Sequence, residues 1–268
     1  MTKPVSTSSR RWLRGIDSGA GPPRIVCYPH SGGSASYFRQ WQHCAPPDVA
    51  VLAVQYPGRH DRLAEPFARS VQEMADAVAA EIAEDSAAVV LFGHSMGAAV
   101  AFETARRLRP TGIPLVGLIV SSHTPPAVPV TSDVHLLPDD RMWRALASLG
   151  GTEPEILEMT ELRDIYTPVV RADLTVSAEY LDPDCAGSLD VPVHALTGTH
   201  DVIAPAESMT RWCEVTTGRF DVRTFDGDHF YLQNHGAEIL RMTGDLLAAS
   251  GQDGESCGVR RDERSLSR

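Results

Sequence analysis

Strand-length apolar runs alternate with longer helical patterns over most of the chain, and no other feature restricts the fold as strongly. Strands separated by helices pair in parallel, so the alternation predicts an α/β fold with a mostly parallel central sheet and helices on both faces. The candidate strands are residues 24–30, 49–58, 87–95, 114–122, 191–198 and 220–225. The candidate helices are residues 70–85, the stretch after Ser95, residues 206–217 and residues 235–250.

One interval, from about His123 to Pro183, breaks this alternation. It contains no convincing strand, but residues 139–150 and 162–174 have helical patterns. We interpret it as a helical lid, over about residues 123–183, that is inserted into the sheet-forming domain.

Length and composition predict one globular domain. The chain has 268 residues, of which 43% are hydrophobic, and this is enough to bury one sizeable core. We expect a flexible N-terminal segment over residues 1–22, the domain over residues 23–250 and a disordered tail over residues 251–268, which are polar and charge-balanced. A monomer is the default expectation.

Composition also argues against several classes of partner. No stretch is long enough to span a membrane, and residues 1–23 lack the apolar core of a secretory signal. The five cysteines are scattered without C-x-x-C spacing, which predicts reduced thiols rather than disulfides or a zinc site. The formal net charge of −11 argues against nucleic acid, whose phosphates require a clustered basic face. We therefore expect a cytoplasmic protein.

Residues 89–108 pass from an apolar strand-like run into a helical pattern, and Ser95 lies at the junction. The pentapeptide Gly-His-Ser-Met-Gly, residues 93–97, matches G-x-S-x-G in the strand-turn-helix setting of a nucleophile elbow. Glycines are needed on both sides of the serine because a Cβ there would clash with the strand or the helix. Ser95 is therefore a candidate nucleophile.

A serine nucleophile needs a base and a group that orients the base. Asp201 and His229 each follow a predicted strand beyond the lid, at the strand ends where functional side chains cluster in parallel sheets. The chain order Ser95, Asp201, His229 is the order typical of α/β hydrolases. His94 is expected to pack or hydrogen-bond beneath the turn.

Other carboxylates compete with Asp201 for the orienting role. Asp226 and Asp228 lie too close to His229 in sequence to orient it easily. Acidic residues in or near the lid are expected to act in ion pairs, helix caps or turns. These residues are Asp173, Asp182 and Asp184.

Acyl chemistry also requires donors for the developing oxyanion. The Met96 N–H follows the nucleophile and is the expected first donor. The second is expected from the loop after the first predicted strand, where small residues leave the backbone N–H groups open to a substrate. We favour the Ser31 N–H for this role, with the Gly32 N–H as the alternative.

Five motifs occur in order along the chain: YPHSGGSASYFRQW, VQYPGRHDRLAEP, FGHSMGAAVAFETARRL, RADLTVSAEY and GDHFYL. Through them, residues 24–248 resemble a type II thioesterase, a free-standing α/β hydrolase that accompanies modular polyketide synthases and nonribosomal peptide synthetases. The resemblance implies hydrolysis of unwanted acyl groups from the phosphopantetheine arm of acyl or peptidyl carrier proteins, with no cofactor of the enzyme's own. It also implies that Ser95 is the nucleophile, His229 the base and Asp201 its orienting residue.

The sequence departs from this family's pattern at two positions. Ser31 stands where alanine is common, and Asp228 stands where glycine is common. Neither departure removes a catalytic group. We hypothesise that Asp228 favours the protonated form of His229 if its carboxylate points inward.

Two other functions remain open at the level of sequence. An acyltransferase of the same pathways also carries a G-H-S-x-G serine, but such enzymes resemble a longer chain with an acid-binding arginine soon after the serine. Here Arg106 lies well beyond the serine and is expected on a helix surface. The second alternative is a non-catalytic carrier-binding module that keeps a hydrolase fold, and the joint presence of Ser95, Asp201 and His229 argues against it.

Two further expectations concern the acyl group and the carrier. Apolar side chains of the lid form either an acyl pocket or the core of the lid itself; they are Met142, Trp143, Leu146, Leu149, Leu157, Met159 and Leu162. Carrier proteins of these systems are usually acidic, as the resemblance implies, so local basic residues must guide the encounter with this acidic chain. The candidates are Arg59, Arg62 and the N-terminal arginines.

Overall fold

The fold is built on a single seven-stranded sheet. A computed structural model describes residues 12–15, 21–130, 132–150 and 158–253. The strand order is β1-β3-β2-β4-β5-β6-β7, with β1 antiparallel to β3 and all other pairs parallel. The strands are β1 Leu13–Gly15, β2 Arg24–Tyr28, β3 Ala50–Val54, β4 Val89–His94, β5 Leu115–Ser121, β6 Val193–Gly198 and β7 Phe220–Phe225. All six predicted strands and the mostly parallel sheet are confirmed.

The seventh strand, β1, lies within the segment predicted to be flexible. Leu13 pairs with Val54 of β3, and the Trp12 and Leu13 N–H groups donate to the carboxylate of Glu81. The prediction is therefore wrong for these few residues, because a three-residue strand is too short to produce a periodic signal. Residues 1–11 and 16–20 lie outside the described part of the chain.

Helices cover both faces of the sheet, as predicted. They are α1 Arg39–Cys44, α2 Val71–Ile82, α3 Met96–Leu108, α4 Asp139–Ala147, α5 Thr160–Glu179, α6 Ala206–Met209 and α7 Leu232–Asp253. The end of α7 extends into residues 251–253, which were expected to be disordered, and residues 254–268 of that tail lie outside the described part.

The helix predicted over residues 206–217 is much shorter than expected. Only α6 is α-helical, and a 3-10 helix, Thr210–Val215, continues from it. Met209, Trp212 and Val215 are all fully buried. Their spacing of three residues matches the three-residue turn of a 3-10 helix better than the 3.6-residue turn of an α-helix.

Successive strand residues point into two separate apolar clusters. On one face, Val26, Leu91 and Val120 pack with α2 and α3. On the other face, Ile25 and Phe92 pack with residues of α1 and α7. Because β2, β3 and β4 are buried on both faces, they read as continuous apolar runs, and their C-terminal ends are held in fixed positions.

The interval between β5 and β6 forms the predicted lid. Among its described residues there are helices, chiefly α4 and α5, and no strand. Met142, Trp143 and Val170 form a small cluster of their own between these two helices. The end of α5 packs on the main core instead, through Val176 and through Tyr180, the residue that follows the helix.

None of the described helices combines the length and the apolarity needed to cross a membrane.

Candidate active site

Ser95 lies on a sharp turn between β4 and α3. Its backbone has φ 54° and ψ −128°, which is strained for a residue with a side chain. A Cβ on Gly93 would lie 2.2 Å from the Gly97 carbonyl oxygen, and one on Gly97 would lie 2.1 Å from the Tyr28 carbonyl oxygen. The predicted reason for the two glycines is thus confirmed, since a side chain at either position would force the turn open.

The structure brings Ser95, His229 and Asp201 into one hydrogen-bonded row. His229 Nε2 lies 3.1 Å from Ser95 Oγ, and His229 Nδ1 lies 3.0 Å from Asp201 Oδ2. Ser95 follows β4, Asp201 follows β6 and His229 follows β7, and these parallel strands have their C-terminal ends on the same side of the sheet. His229 and Asp201 are buried, whereas Ser95 is only half-buried and faces a pocket.

Asp201 is held as a carboxylate. Its Oδ1 accepts hydrogen bonds from the Ile203 and Ala204 N–H groups at 2.9 and 3.1 Å. Burial raises its pKa, but the hydrogen bond and charge of His229, together with the hydrogen bonds from Ser122 and Ala204, outweigh burial and hold the pKa well below the usual range. A charged Asp201 can orient and stabilise a histidine that accepts a proton.

His94 lies beneath the turn, as predicted. It is fully buried, and its Nδ1 lies 2.9 Å from Ser121 Oγ, which in turn lies 2.8 Å from the Tyr231 hydroxyl. Burial, followed by the charges of His229 and His30, lowers the pKa of His94 well below its usual value. His94 therefore remains a neutral support for the loop that carries His229.

The two oxyanion candidates in the glycine loop differ in what their N–H groups do. The Gly32 N–H donates to Asp173 Oδ2 at 2.7 Å, so it is already engaged. Within the described residues, the Ser31 N–H makes no hydrogen bond. Met96 is the first residue of α3, and N–H groups in the first turn of a helix have no partner within the helix. Ser31 and Met96 are therefore the available donors.

A pocket of about 590 Å³ opens between Ser95 and the lid. Its polar wall includes His30, Ser31, Ser95 and His229. Its lid wall consists of Trp143, Leu146, Leu149, Tyr166, Val170 and Leu174. This geometry places an apolar space beside the Ser95 hydroxyl and the loop that carries the Ser31 N–H, as acyl transfer to serine requires.

Comparisons with known proteins identify the family of this chain. The family model of the thioesterase domain matches residues 23–247. The chain belongs to the thioesterase family. It is 38% identical over 249 residues to thioesterase PikA5 of Streptomyces venezuelae, an alignment that covers 91% of this chain and 88% of that protein.

Solved structures extend the likeness to the fold. The type II thioesterase BorB from the borrelidin biosynthetic cluster has a TM-score of 0.79 and 36% identity, covering 88% of this chain and 97% of that one. The thioesterase RedJ from the prodiginine pathway of Streptomyces coelicolor has a TM-score of 0.78 and 34% identity, covering 91% of each chain. The protein is thus a thioester hydrolase with the α/β-hydrolase fold, as the sequence motifs indicated.

Arg59 and Arg62 of this thioesterase are not the surface residues that the sequence suggested. They are 3% and 5% exposed. Arg59 pairs with Asp173 of α5, and Arg62 pairs with Glu65 and donates to the Gln55 carbonyl oxygen. The prediction that they guide a carrier protein is wrong, because both guanidinium groups are buried and bound to partners within the protein.

Two other predictions are clarified by the contacts. The Asp228 carboxylate is on an exposed residue and accepts the Phe230 N–H at 3.0 Å, so the geometry does not support an effect on His229. Arg106 pairs with Glu103 and Asp182 and is therefore engaged with carboxylates of the protein itself, not free to bind an acid substrate.

The lid side chains serve both expected roles. Met142 is buried in the cluster of the lid. Trp143 belongs to that cluster and Leu146 packs against it, and both also line the pocket together with Leu149. Met159 is 49% exposed and belongs to neither. Leu157 lies outside the described residues.

Sequence reasoning missed the contact of Asp173 with the glycine loop. Asp173 lies on the buried face of α5 with Val169 and Val176, at helical spacing i, i+4 and i+7. A carboxylate in an apolar stripe requires a buried partner, and this pattern was the available signal.

Proposed function

We propose that this thioesterase hydrolyses aberrant or stalled acyl groups from the phosphopantetheine arm of acyl or peptidyl carrier proteins in polyketide or nonribosomal peptide biosynthesis. Such a partner brings its own prosthetic arm, so the enzyme needs no cofactor. The proposal is supported by the family membership and by the similarity to thioesterases from the borrelidin biosynthetic cluster and the prodiginine biosynthetic pathway.

The first half of the reaction transfers the acyl group to Ser95. Ser95 Oγ attacks the thioester carbonyl carbon while His229 Nε2 accepts the hydroxyl proton, and the Ser31 and Met96 N–H groups stabilise the oxyanion. When the tetrahedral intermediate collapses, the C–S bond breaks and His229 returns a proton to the thiolate. This thiol leaves readily, since its pKa is about 8.5.

The second half releases the acid. A water molecule attacks the acyl-serine carbonyl while His229 again accepts a proton, and Ser95 leaves with that proton restored. Asp201 remains ionised throughout and keeps His229 in the correct tautomer.

One observation carries this mechanism: the row Ser95, His229, Asp201, with spacings of 3.1 and 3.0 Å, opens onto a pocket with an apolar lid wall. An apolar pocket beside the nucleophile can hold an acyl chain and can exclude much of the bulk water around the scissile thioester.

The test measures thiol release from acetyl- or propionyl-carrier protein and from the same acyl group on a short pantetheine mimic, for the wild type and Ser95→Ala. We expect hydrolysis that prefers the carrier substrate and disappears in the variant. Strong preference for the free mimic would indicate a general esterase. An inert wild type that still binds the carrier would favour the non-catalytic binding module.

A further inference from the structure

The glycine loop, residues 29–33, is held in place by side chains from distant parts of the chain. Arg59 Nη1 donates to the Gly33 carbonyl oxygen at 3.1 Å. The Gly32 N–H donates to Asp173 Oδ2 at 2.7 Å. The second contact joins the loop directly to lid helix α5, although the two residues are 141 positions apart in sequence.

Asp173 is itself fixed by a buried two-point ion pair. Arg59 Nη1 lies 2.5 Å from Asp173 Oδ2, Arg59 Nη2 lies 2.7 Å from Oδ1, and the two side chains are 3% and 7% exposed. The guanidinium also lies 5.3 Å from the centre of the Tyr56 ring. Moving Asp173 would leave a buried arginine without its partner, so this geometry is strongly preferred.

The loop also packs closely against α5. Gly32 has φ +78°, and a Cβ at this position would lie 2.6 Å from Val170 Cγ2. The Gly32 N–H and the Ser31 carbonyl share one rigid peptide plane. A hydrogen bond that fixes the Gly32 N–H therefore restricts the ψ rotation of Ser31 as well. The same bond keeps the Gly32 N–H from competing with the Ser31 N–H for the oxyanion.

We propose that Asp173 is a positioning residue that sets the direction of the Ser31 N–H through Gly32, so that lid helix α5 completes the oxyanion hole. Arg59 acts with it by holding the carboxylate in place. In this arrangement the hole is complete only while α5 is seated on the glycine loop. The inference rests on the proposed roles of Ser95 and Ser31 and adds a residue of the lid to them.

The main experiment compares Asp173→Asn with the wild type in the full chain, using an acyl-pantetheine mimic. The asparagine keeps an oxygen near Gly32 but loses the charge that fixes it against Arg59. Loss of a whole oxyanion donor costs about 10²- to 10³-fold in kcat, so we expect misorientation to lower kcat roughly 10- to 100-fold with KM within about threefold. A kcat within about twofold of the wild type would overturn the proposal, since one donor accounts for far more.

Inhibitor binding separates positioning from general damage to the pocket. A pantetheine trifluoromethyl ketone forms a hemiketal with Ser95, in which the Oγ–C bond forms, the proton passes to His229 and the oxyanion occupies the hole. The corresponding amide binds without reacting. We expect Asp173→Asn to lower the affinity for the ketone by the same factor as kcat and to leave the affinity for the amide unchanged. An equal loss for both ligands would overturn the proposal.

The lid offers a matched control in the ion pair that joins it to α3. Arg106 Nη1 lies 2.5 Å from Asp182 Oδ2, near the end of the lid, and within the described part of the chain neither side chain has a hydrogen bond to the glycine loop. Asp182→Asn removes the same charge without touching the hole, so we expect kcat and the ketone affinity to stay near wild type. A loss equal to that of Asp173→Asn would mean that any loosening of the lid suffices.

Two further variants keep the test decisive. If Asp173→Asn does not fold, Arg59→Lys keeps a charge beside Asp173 but loses the two-point contact; we expect a smaller loss of kcat at unchanged KM, and unchanged kcat would overturn the proposal. Ser95→Ala, measured in parallel, separates the two levels of inference. If Ser95→Ala still hydrolyses the substrate, the proposed function is refuted. If Ser95→Ala is inactive but Asp173→Asn has the kcat of the wild type, only the positioning role is refuted.

Discussion

The pocket has two walls that are built in different ways. Its floor carries Ser95, Asp201 and His229 on loops that follow three strands of the central sheet. Its roof is made of α4 and α5, which share only a small cluster of buried side chains. Backbone geometry therefore fixes the residues proposed for the chemistry, whereas side-chain packing shapes the space for the acyl chain.

The roof is nevertheless not uniform. Near its end, Asp182 pairs with a partly exposed Arg106 on α3, and such a pair contributes little beyond attachment. In its middle, Asp173 pairs with the buried Arg59 and reaches the glycine loop. The two walls are therefore joined beside the Ser31 N–H, through the contact of Asp173 with the glycine loop.

The largest effect is expected in the floor, for Asp201→Asn. The change removes the carboxylate that accepts the hydrogen bond from His229 Nδ1–H and favours the wrong tautomer, so kcat should fall roughly 10³- to 10⁴-fold. The measurement is steady-state hydrolysis of an acyl-carrier protein. Asp226→Asn, an exposed carboxylate that precedes the same histidine loop, is the matched control and should retain activity. A loss below tenfold in Asp201→Asn would contradict the assigned role.

The roof should control chain length instead, as Leu146→Ala tests. Leu146 lines the pocket, and its truncation should expose about two methylenes of an octanoyl chain, at about 0.8 kcal/mol each, so kcat/KM for the octanoyl substrate should fall on the order of tenfold. The value for an acetyl substrate should stay nearly constant. Leu136→Ala is the control, because Leu136 is 70% exposed on the lid. Equal losses for both substrates would show that Leu146 supports the lid rather than the acyl chain.

A smaller effect is expected at His123, where the roof begins after β5. Burial lowers the pKa of His123 to about 4, although its hydrogen bond to the Thr124 carbonyl opposes the shift. The unfolded chain, with a histidine pKa of about 6.5, then binds more protons, so stability decreases as the pH falls from about 6.5 towards 4. This one residue contributes a slope of at most about 1.4 kcal/mol per pH unit.

Replacing His123 should remove its contribution to the pH dependence of the free energy of unfolding. In His123→Gln, the free energy of unfolding should fall less steeply between pH 6.5 and 4.5 than in the wild type, as measured by urea unfolding at several pH values. Identical slopes would contradict a neutral, buried His123.

The smallest effect is expected for Asp228→Gly. Asp228 is beside His229 in sequence, yet its carboxylate is bonded to the Phe230 N–H and its residue is exposed. The pH–rate profile should therefore coincide with that of the wild type when kcat/KM is followed from pH 5 to 9. A shifted profile would show that sequence adjacency, rather than the observed contact, governs the histidine.

Much of the floor could be predicted from the sequence. The six long strands follow from apolar runs, and the elbow follows from Gly93 and Gly97 around Ser95 in a strand-turn-helix setting. Asp201 and His229 follow from their places after strands, because parallel strands end at one edge. Elements without a clear period were missed or misjudged, as β1 and the 3-10 helix Thr210–Val215 illustrate.

The burial of Arg59 and Arg62 could not be predicted from local sequence. Local sequence gives Arg59 and Arg62 the appearance of surface residues, because nothing near them signals burial. The partner of Arg59 is Asp173, which is 114 positions away. Only folding brings these charges together, and only then does a buried pair become favourable.

The sequence by itself thus determined the strands, the elbow and the order of Ser95, Asp201 and His229, since hydrophobic period and glycine sterics act over a few neighbouring residues. The tertiary structure alone decided which backbone N–H remains free for an oxyanion. That choice depends on Asp173 accepting the Gly32 N–H and leaving the Ser31 N–H unbonded. The apolar stripe around Asp173 signals that the carboxylate has a buried partner, but only the fold brings the glycine loop to it, because the two are 141 positions apart.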